Sequence, residues 1–94
     1  MAKSWYKPNE IYFNQKQLEK IYNLAIGLGY PSISEAVSFK YENIWGVVYR
    51  INNQFYVSNF YNHYLRAFNT TEADFREEIK NIRSITREDL MEVK

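Results

Sequence analysis

A chain of 94 residues with twelve Lys and Arg against eleven Asp and Glu has the size of one domain and a formal charge of only +1, short of the strongly basic balance that counterion release rewards on DNA. Its hydrophobic fraction of 46% excludes the class of chains that stay disordered, and the absence of cysteine excludes a disulfide framework or a thiolate zinc site. No apolar run approaches the roughly 20 residues of a membrane span and MAKSWYKPNEIYF carries no signal-peptide core, so no membrane segment and a cytoplasmic location are expected.

Glu10 to Phe13 is apolar enough for a short strand, which Pro8 limits on its N-terminal side. Asn14 reads as an N-cap. From Gln15 the apolar residues Leu18, Ile21, Tyr22, Ala25 and Leu28 recur at helical spacing until Gly29, the usual left-handed terminator. Ser32-Ile-Ser-Glu35 has the spacing of a capping box, and Ile33, Ala36, Val37, Tyr41 and Ile44 share a helical face, so a second helix is expected over Ser32 to Asn43.

Between Ile44 and Phe60 two aromatic and β-branched runs flank Asn52-Asn53, a pair able to take positive φ, and this predicts an antiparallel hairpin with a two-residue turn. Such a turn sets Ile51 opposite Gln54, Tyr49 opposite Tyr56 and Val47 opposite Ser58. Trp45, Val47, Tyr49, Ile51, Tyr56 and Phe60 then share one face, while Val48, Arg50, Phe55 and Val57 share the other. Both faces are apolar, so each needs a cover. Tyr61 to Phe68 is expected to make a helical turn or two, Thr71 to cap an amphipathic helix with Phe75, Ile79 and Ile82 inward, and Thr86 to cap a last short helix with Leu90 and Val93 inward. The expected fold is a small single α+β domain over residues 1–94, with an N-terminal helix pair, a central antiparallel β-hairpin that the Glu10–Phe13 strand would widen to three strands, and C-terminal helices.

Catalysis is disfavoured by what the chain lacks. Its one histidine, His63, has no serine, cysteine or acidic residue at a motif spacing, and the pairs Glu77-Glu78 and Glu88-Asp89 diverge on a helix. Gly27, Gly29 and Gly46 do not form a phosphate-cradling loop. No enzyme activity, catalytic residue, metal or cofactor is therefore expected. Nine Tyr, six Phe and two Trp are more than one small core needs, and these rings favour rims and interfaces. Asn, Lys, Ile, Tyr and Phe are also the residues of AT-rich codons, a composition that suits a low-GC bacterium or its phage.

The reading these features favour is a non-catalytic interaction protein that docks a protein partner or a second copy of itself, of the kind found among phage or mobile-element accessory and inhibitor proteins. Trp45, Tyr49, Arg50 and Tyr56 are its candidate partner-binding residues, with Tyr61 and Tyr64 beside them. The alternative is a DNA-binding regulator. Helix, turn, capped helix and hairpin is the element order of a winged helix-turn-helix, with Ser34, Ser38 and Lys40 as groove contacts and Arg50 in the wing. Residues 1–69 carry a net +3 and residues 70–94 a net −2, so a polyanion would meet the first part. Glu35 and Glu42 on the expected recognition helix repel phosphate.

The strand EIYFN, the helix QKQLEKIYNLAIGLGY and the junction PSISEAV also loosely resemble a ribbon-helix-helix module over about a third of the chain. That resemblance implies major-groove reading by the outward strand residues, here Glu10, Tyr12 and Asn14.

Overall fold

The computed structural model describes residues 13–58 and 65–91. They form an α+β fold: helix α1 (Gln15–Leu28), strands β1 (Ser32–Ile33), β2 (Ala36–Tyr41), β3 (Ile44–Ile51) and β4 (Gln54–Ser58), then helices α2 (Glu72–Ile79) and α3 (Arg87–Met91). The strands make one antiparallel sheet in the order β1-β2-β3-β4.

Helix α1 begins and ends where the sequence places its boundaries. The Asn14 side chain accepts from the Gln17 amide at 2.8 Å and the Gln17 side chain accepts from the Asn14 amide at 3.0 Å, closing a capping box. Gly29, at φ 93, sends its N–H back to Ala25 and Ile26. The helix buries Leu18, Ile21, Tyr22 and Ala25 against the sheet.

The second helix expected over Ser32 to Asn43 is not present; that segment is two strands. Ser34-Glu35, the second half of the expected Ser32–Glu35 capping box, is the tight turn joining β1 to β2, with Ser34 at φ 54 and Ile33 paired with Ala36. Glu42-Asn43 is a second two-residue turn, with Glu42 at φ 56 and Tyr41 paired with Ile44. The sheet therefore has four strands rather than two or three. Of the expected Glu10–Phe13 strand only Phe13 is described, and it precedes α1 with its ring edge-on to Tyr41 at 5.2 Å.

The hairpin around Asn52-Asn53 has the expected register, Ile51 to Gln54, Tyr49 to Tyr56 and Val47 to Ser58. Both asparagines take positive φ, 52 and 67, the pattern of a type I′ turn whose twist matches the flanking strands. Successive side chains alternate between the two faces, and cross-strand partners share one. On the first face Val37, Phe39, Val48 and Phe55 meet α1, with Phe55 against Tyr22 at 5.5 Å. On the second, Trp45 meets Phe75 of α2 edge-on at 5.6 Å. Residues 36–39 of β2 are all buried because both faces are covered.

The edge strand β4 is guarded at one point. Gln15 donates from its amide nitrogen to the Phe55 carbonyl and accepts from the Phe55 N–H, both at 2.8 Å, and so occupies the two backbone groups a further strand would use.

Thr71 caps α2 by accepting from the Asp74 amide at 3.2 Å, and α2 buries Phe75 and Ile79, as the sequence implies. Beyond it Ile85 bonds the edge of β2, donating to the Lys40 carbonyl at 2.7 Å and accepting from the Glu42 N–H at 2.9 Å. The buried Tyr30 hydroxyl donates to the Arg83 carbonyl at 2.9 Å, and burial pushes this phenol up to about 12. Leu90 packs on the core, while Val93 and residues 59–64 lie outside the described residues.

Thr86 and Asp89 cap α3 reciprocally. Thr86 N–H donates to Asp89 at 2.8 Å and Asp89 N–H to the Thr86 hydroxyl at 3.2 Å, while the Arg83 guanidinium binds the same carboxylate at 2.8 and 3.3 Å. The Arg83 hydrogen bond, followed by the Thr86 amide, holds the Asp89 carboxyl down at about 2. Folding thus favours the ionised form, so this contribution is present above the ordinary carboxylate range and is lost as pH falls toward about 2. We expect about 1 kcal/mol from it, below the full linkage of the shift because the Arg83 side chain is 54% exposed to screening water. Urea midpoints measured from about pH 6 to about pH 2 should fall less steeply for Asp89→Asn than for the parent, and parallel curves would exclude the contribution.

Candidate functional site

Three of the candidate partner-binding residues, Trp45, Tyr49 and Tyr56, project from the sheet face opposite α1, as strand alternation requires. They differ in exposure. Trp45 is half-buried beneath α2, with the Lys40 ammonium 5.0 Å from its ring centroid. Tyr49 is half-buried, and burial raises its phenol above the ordinary value. Tyr56 is 52% exposed. Arg50 points to the other face, where its guanidinium lies 5.3 Å from the Tyr22 ring centroid and its Nε donates to Glu35 at 2.8 Å. That hydrogen bond, with the Glu35 charge behind it, raises the Arg50 pKa. Tyr61 and Tyr64 lie outside the described residues.

The four residues of the DNA reading do not converge. Ser34 sits in the β1–β2 turn, and Ser38 is fully buried with its hydroxyl donating to the Pro31 carbonyl at 3.1 Å. Lys40 lies over Trp45 on the second face and Arg50 lies on the first. The segment assigned to a recognition helix is strand, so both the winged-helix geometry and the second helix of a ribbon-helix-helix junction are missing from it. Of the residues the ribbon resemblance assigns to the groove, Asn14 is the α1 cap, and Glu10 and Tyr12 lie outside the described residues.

Two groups that sequence reading passed over become visible in three dimensions. The first is a transverse row on the second sheet face, Ile33, Ala36, Tyr49 and Tyr56, one residue from each strand through the pairs of the register. Ile33 and Tyr56 at its two ends are 48% and 52% exposed, and Ile51, two positions along β3 from Tyr49, is 53% exposed. The missed signal was the hairpin β1–β2, without which Ile33 reads as a buried helix residue. The second is a groove of about 280 Å³ where α2 crosses the sheet, lined by Lys40, Trp45, Arg76, Ile79, Lys80 and Ile82. Arg76 and Lys80 are four residues apart and therefore neighbours on α2, a spacing legible in the sequence, but only the docking of α2 brings them to Lys40.

Among the described residues no three His, Cys, Asp or Glu side chains form a group able to hold a metal ion, and no helix is long and apolar enough to cross a membrane. His63 lies outside them. No protein-family model, curated protein or solved structure matches the chain.

Proposed function

We propose that the chain is a small non-catalytic interaction domain that binds a protein partner through the sheet face opposite α1, in the manner of phage or mobile-element accessory and inhibitor proteins. One observation carries this reading: Ile33, Ile51 and Tyr56, three large apolar side chains from three strands of one rigid sheet, each stay about half exposed on the same face. A sheet surface fixes side chains in place before binding, so docking on it costs little ordering entropy, and a tyrosine among aliphatic residues is a frequent interface anchor.

The test is capture of partners from a host lysate with and without nuclease, comparing the parent with the double variant Ile51→Glu and Tyr56→Glu. A nuclease-resistant protein partner, held at high salt by the parent and lost by the folded double variant, is the expected outcome. These exposed positions should cost the fold no more than about 0.5 kcal/mol each. Retention on duplex DNA that falls steeply with salt and disappears with Lys40→Glu and Arg50→Glu would instead favour the DNA-binding alternative.

A further inference from the structure

We propose that the groove between α2 and the sheet binds an acidic peptide segment of the protein partner, its carboxylates among Lys40, Arg76 and Lys80 and one aliphatic side chain on the floor made by Trp45, Ile79 and Ile82. The inference rests on the protein-binding reading above and supplies the chemistry of the partner. Three cations from two separate elements meet at this groove, and among the described residues its lining contains no acidic side chain. Lys40 is delivered by β2 as the cross-strand neighbour of Trp45, Arg76 by the last turn of α2 and Lys80 by its C-cap.

Lys40 has no carboxylate partner among the described residues; its ammonium rests on the Trp45 ring. Arg76 and Lys80 are bound to Glu72 and Glu77 of their own helix, each at 3.1 Å, but all four side chains are at least 57% exposed. Such exposed pairs are held by about 0.2–1 kcal/mol and exchange readily for an incoming carboxylate. The second depression in the surface differs in its lining, Glu35, Arg50, Asn52 and Asn53, which includes a carboxylate of its own, held to Arg50 at 2.8 Å.

The size and floor of the groove select the occupant. About 280 Å³ sits at the lower edge of the range of small-molecule sites and is enough for one or two side chains of a peptide. A nucleotide would need an open ring face to stack on, whereas Lys40 covers one face of Trp45 and Phe75 packs against the ring at 70°. Ile82, only partly buried, instead offers aliphatic surface to a branched side chain, and the surrounding ammonium and guanidinium groups match flanking carboxylates.

The experiment uses the full chain carrying Trp5→Phe, so that Trp45 is the only indole reporting. The probes are the acetylated, amidated peptide Asp-Glu-Leu-Glu-Asp and its neutral counterpart Asn-Gln-Leu-Gln-Asn. The acidic peptide should shift Trp45 emission saturably and weaken as ionic strength rises from about 50 to about 500 mM, while the neutral one should not bind. Lys40→Glu with Lys80→Glu should weaken binding about tenfold or more, the combined effect of reversing two exposed contacts, with the circular dichroism spectrum unchanged. Equal binding of both peptides, no binding of either, or an affinity indifferent to the charge reversal would overturn the proposal. So would inorganic phosphate or adenosine monophosphate displacing the peptide at equal concentration, since the groove would then be a general anion site. If the peptide fails while the Ile51 and Tyr56 variant still loses its captured partner, the groove assignment falls and the protein-binding reading stands. If the peptide binds while no protein is captured, the protein-binding reading falls, and with it the assignment of the peptide to a partner.

Discussion

Gly46→Ala is expected to destabilise the fold by about 2–3 kcal/mol, at the upper end of what overpacking one carbon costs. Gly46 is paired with Phe39 across the β2–β3 ladder, and the Phe39 ring lies over the space a side chain would fill. A Cβ at this position would stand 2.9 Å from the Phe39 Cε1 and Cζ and 2.9 Å from the Ser58 carbonyl oxygen. Phe39 is fully buried under α1 and cannot swing away without emptying the core, and the Ser58 oxygen belongs to the backbone of β4. The backbone conformation is ordinary here; the demand for glycine is entirely one of space.

Phe39→Leu with Gly46→Ala should recover part of the loss, because the ring contact is relieved while the clash with β4 remains. A double-mutant cycle would then show a coupling of about 0.5–2 kcal/mol in urea midpoints. A Gly46→Ala protein as stable as the parent would mean the ring does not occupy that space.

The chain around Gly46 also shows where local pattern informs and where it misleads. The Asn52-Asn53 turn, its register and both caps of α1 are local devices in which two or three side chains decide the backbone, and they are readable from spacing alone. The segment from Ser32 to Asn43 is not. Its S-x-x-E spacing suits a capping box, yet Ser34 and Glu42 adopt positive φ and turn the chain twice within ten residues.

Burial on both faces of β2 erases the period-two alternation that would have marked it as a strand, and the apolar residues then match helical spacing by coincidence. The need for glycine at position 46 has no local mark, because it depends on a ring seven positions away that lies opposite it only after β2 and β3 pair. The site divides the same way. That Trp45, Tyr49 and Tyr56 share a face follows from alternation and the turn. That α2 covers Trp45 and leaves Tyr56 exposed depends on a helix nearly thirty residues later, which carries no local mark of where it docks.

Phe75→Ala should be the most damaging change in the C-terminal half, costing about 3–5 kcal/mol. Phe75 is 1% exposed and joins α2 to the sheet through its edge-on contact with Trp45 at 5.6 Å. A helix of eight residues has no independent stability in water, so α2 persists only while that side chain and Ile79 are docked. Losing the ring should therefore release the helix as a unit, expose Trp45 and dissolve the groove that Arg76 and Lys80 complete. Its emission should move to longer wavelength, and α2 amides should lose exchange protection while α1 and β3 keep theirs. Phe75→Leu keeps most of the buried surface and should cost less than half as much, retaining the acidic-peptide response that Phe75→Ala abolishes. Loss of protection spread evenly over the sheet and α1 in Phe75→Ala would show instead that the C-terminal helix and the four strands unfold as one cooperative unit, with Phe75 serving the whole core rather than the docking of α2.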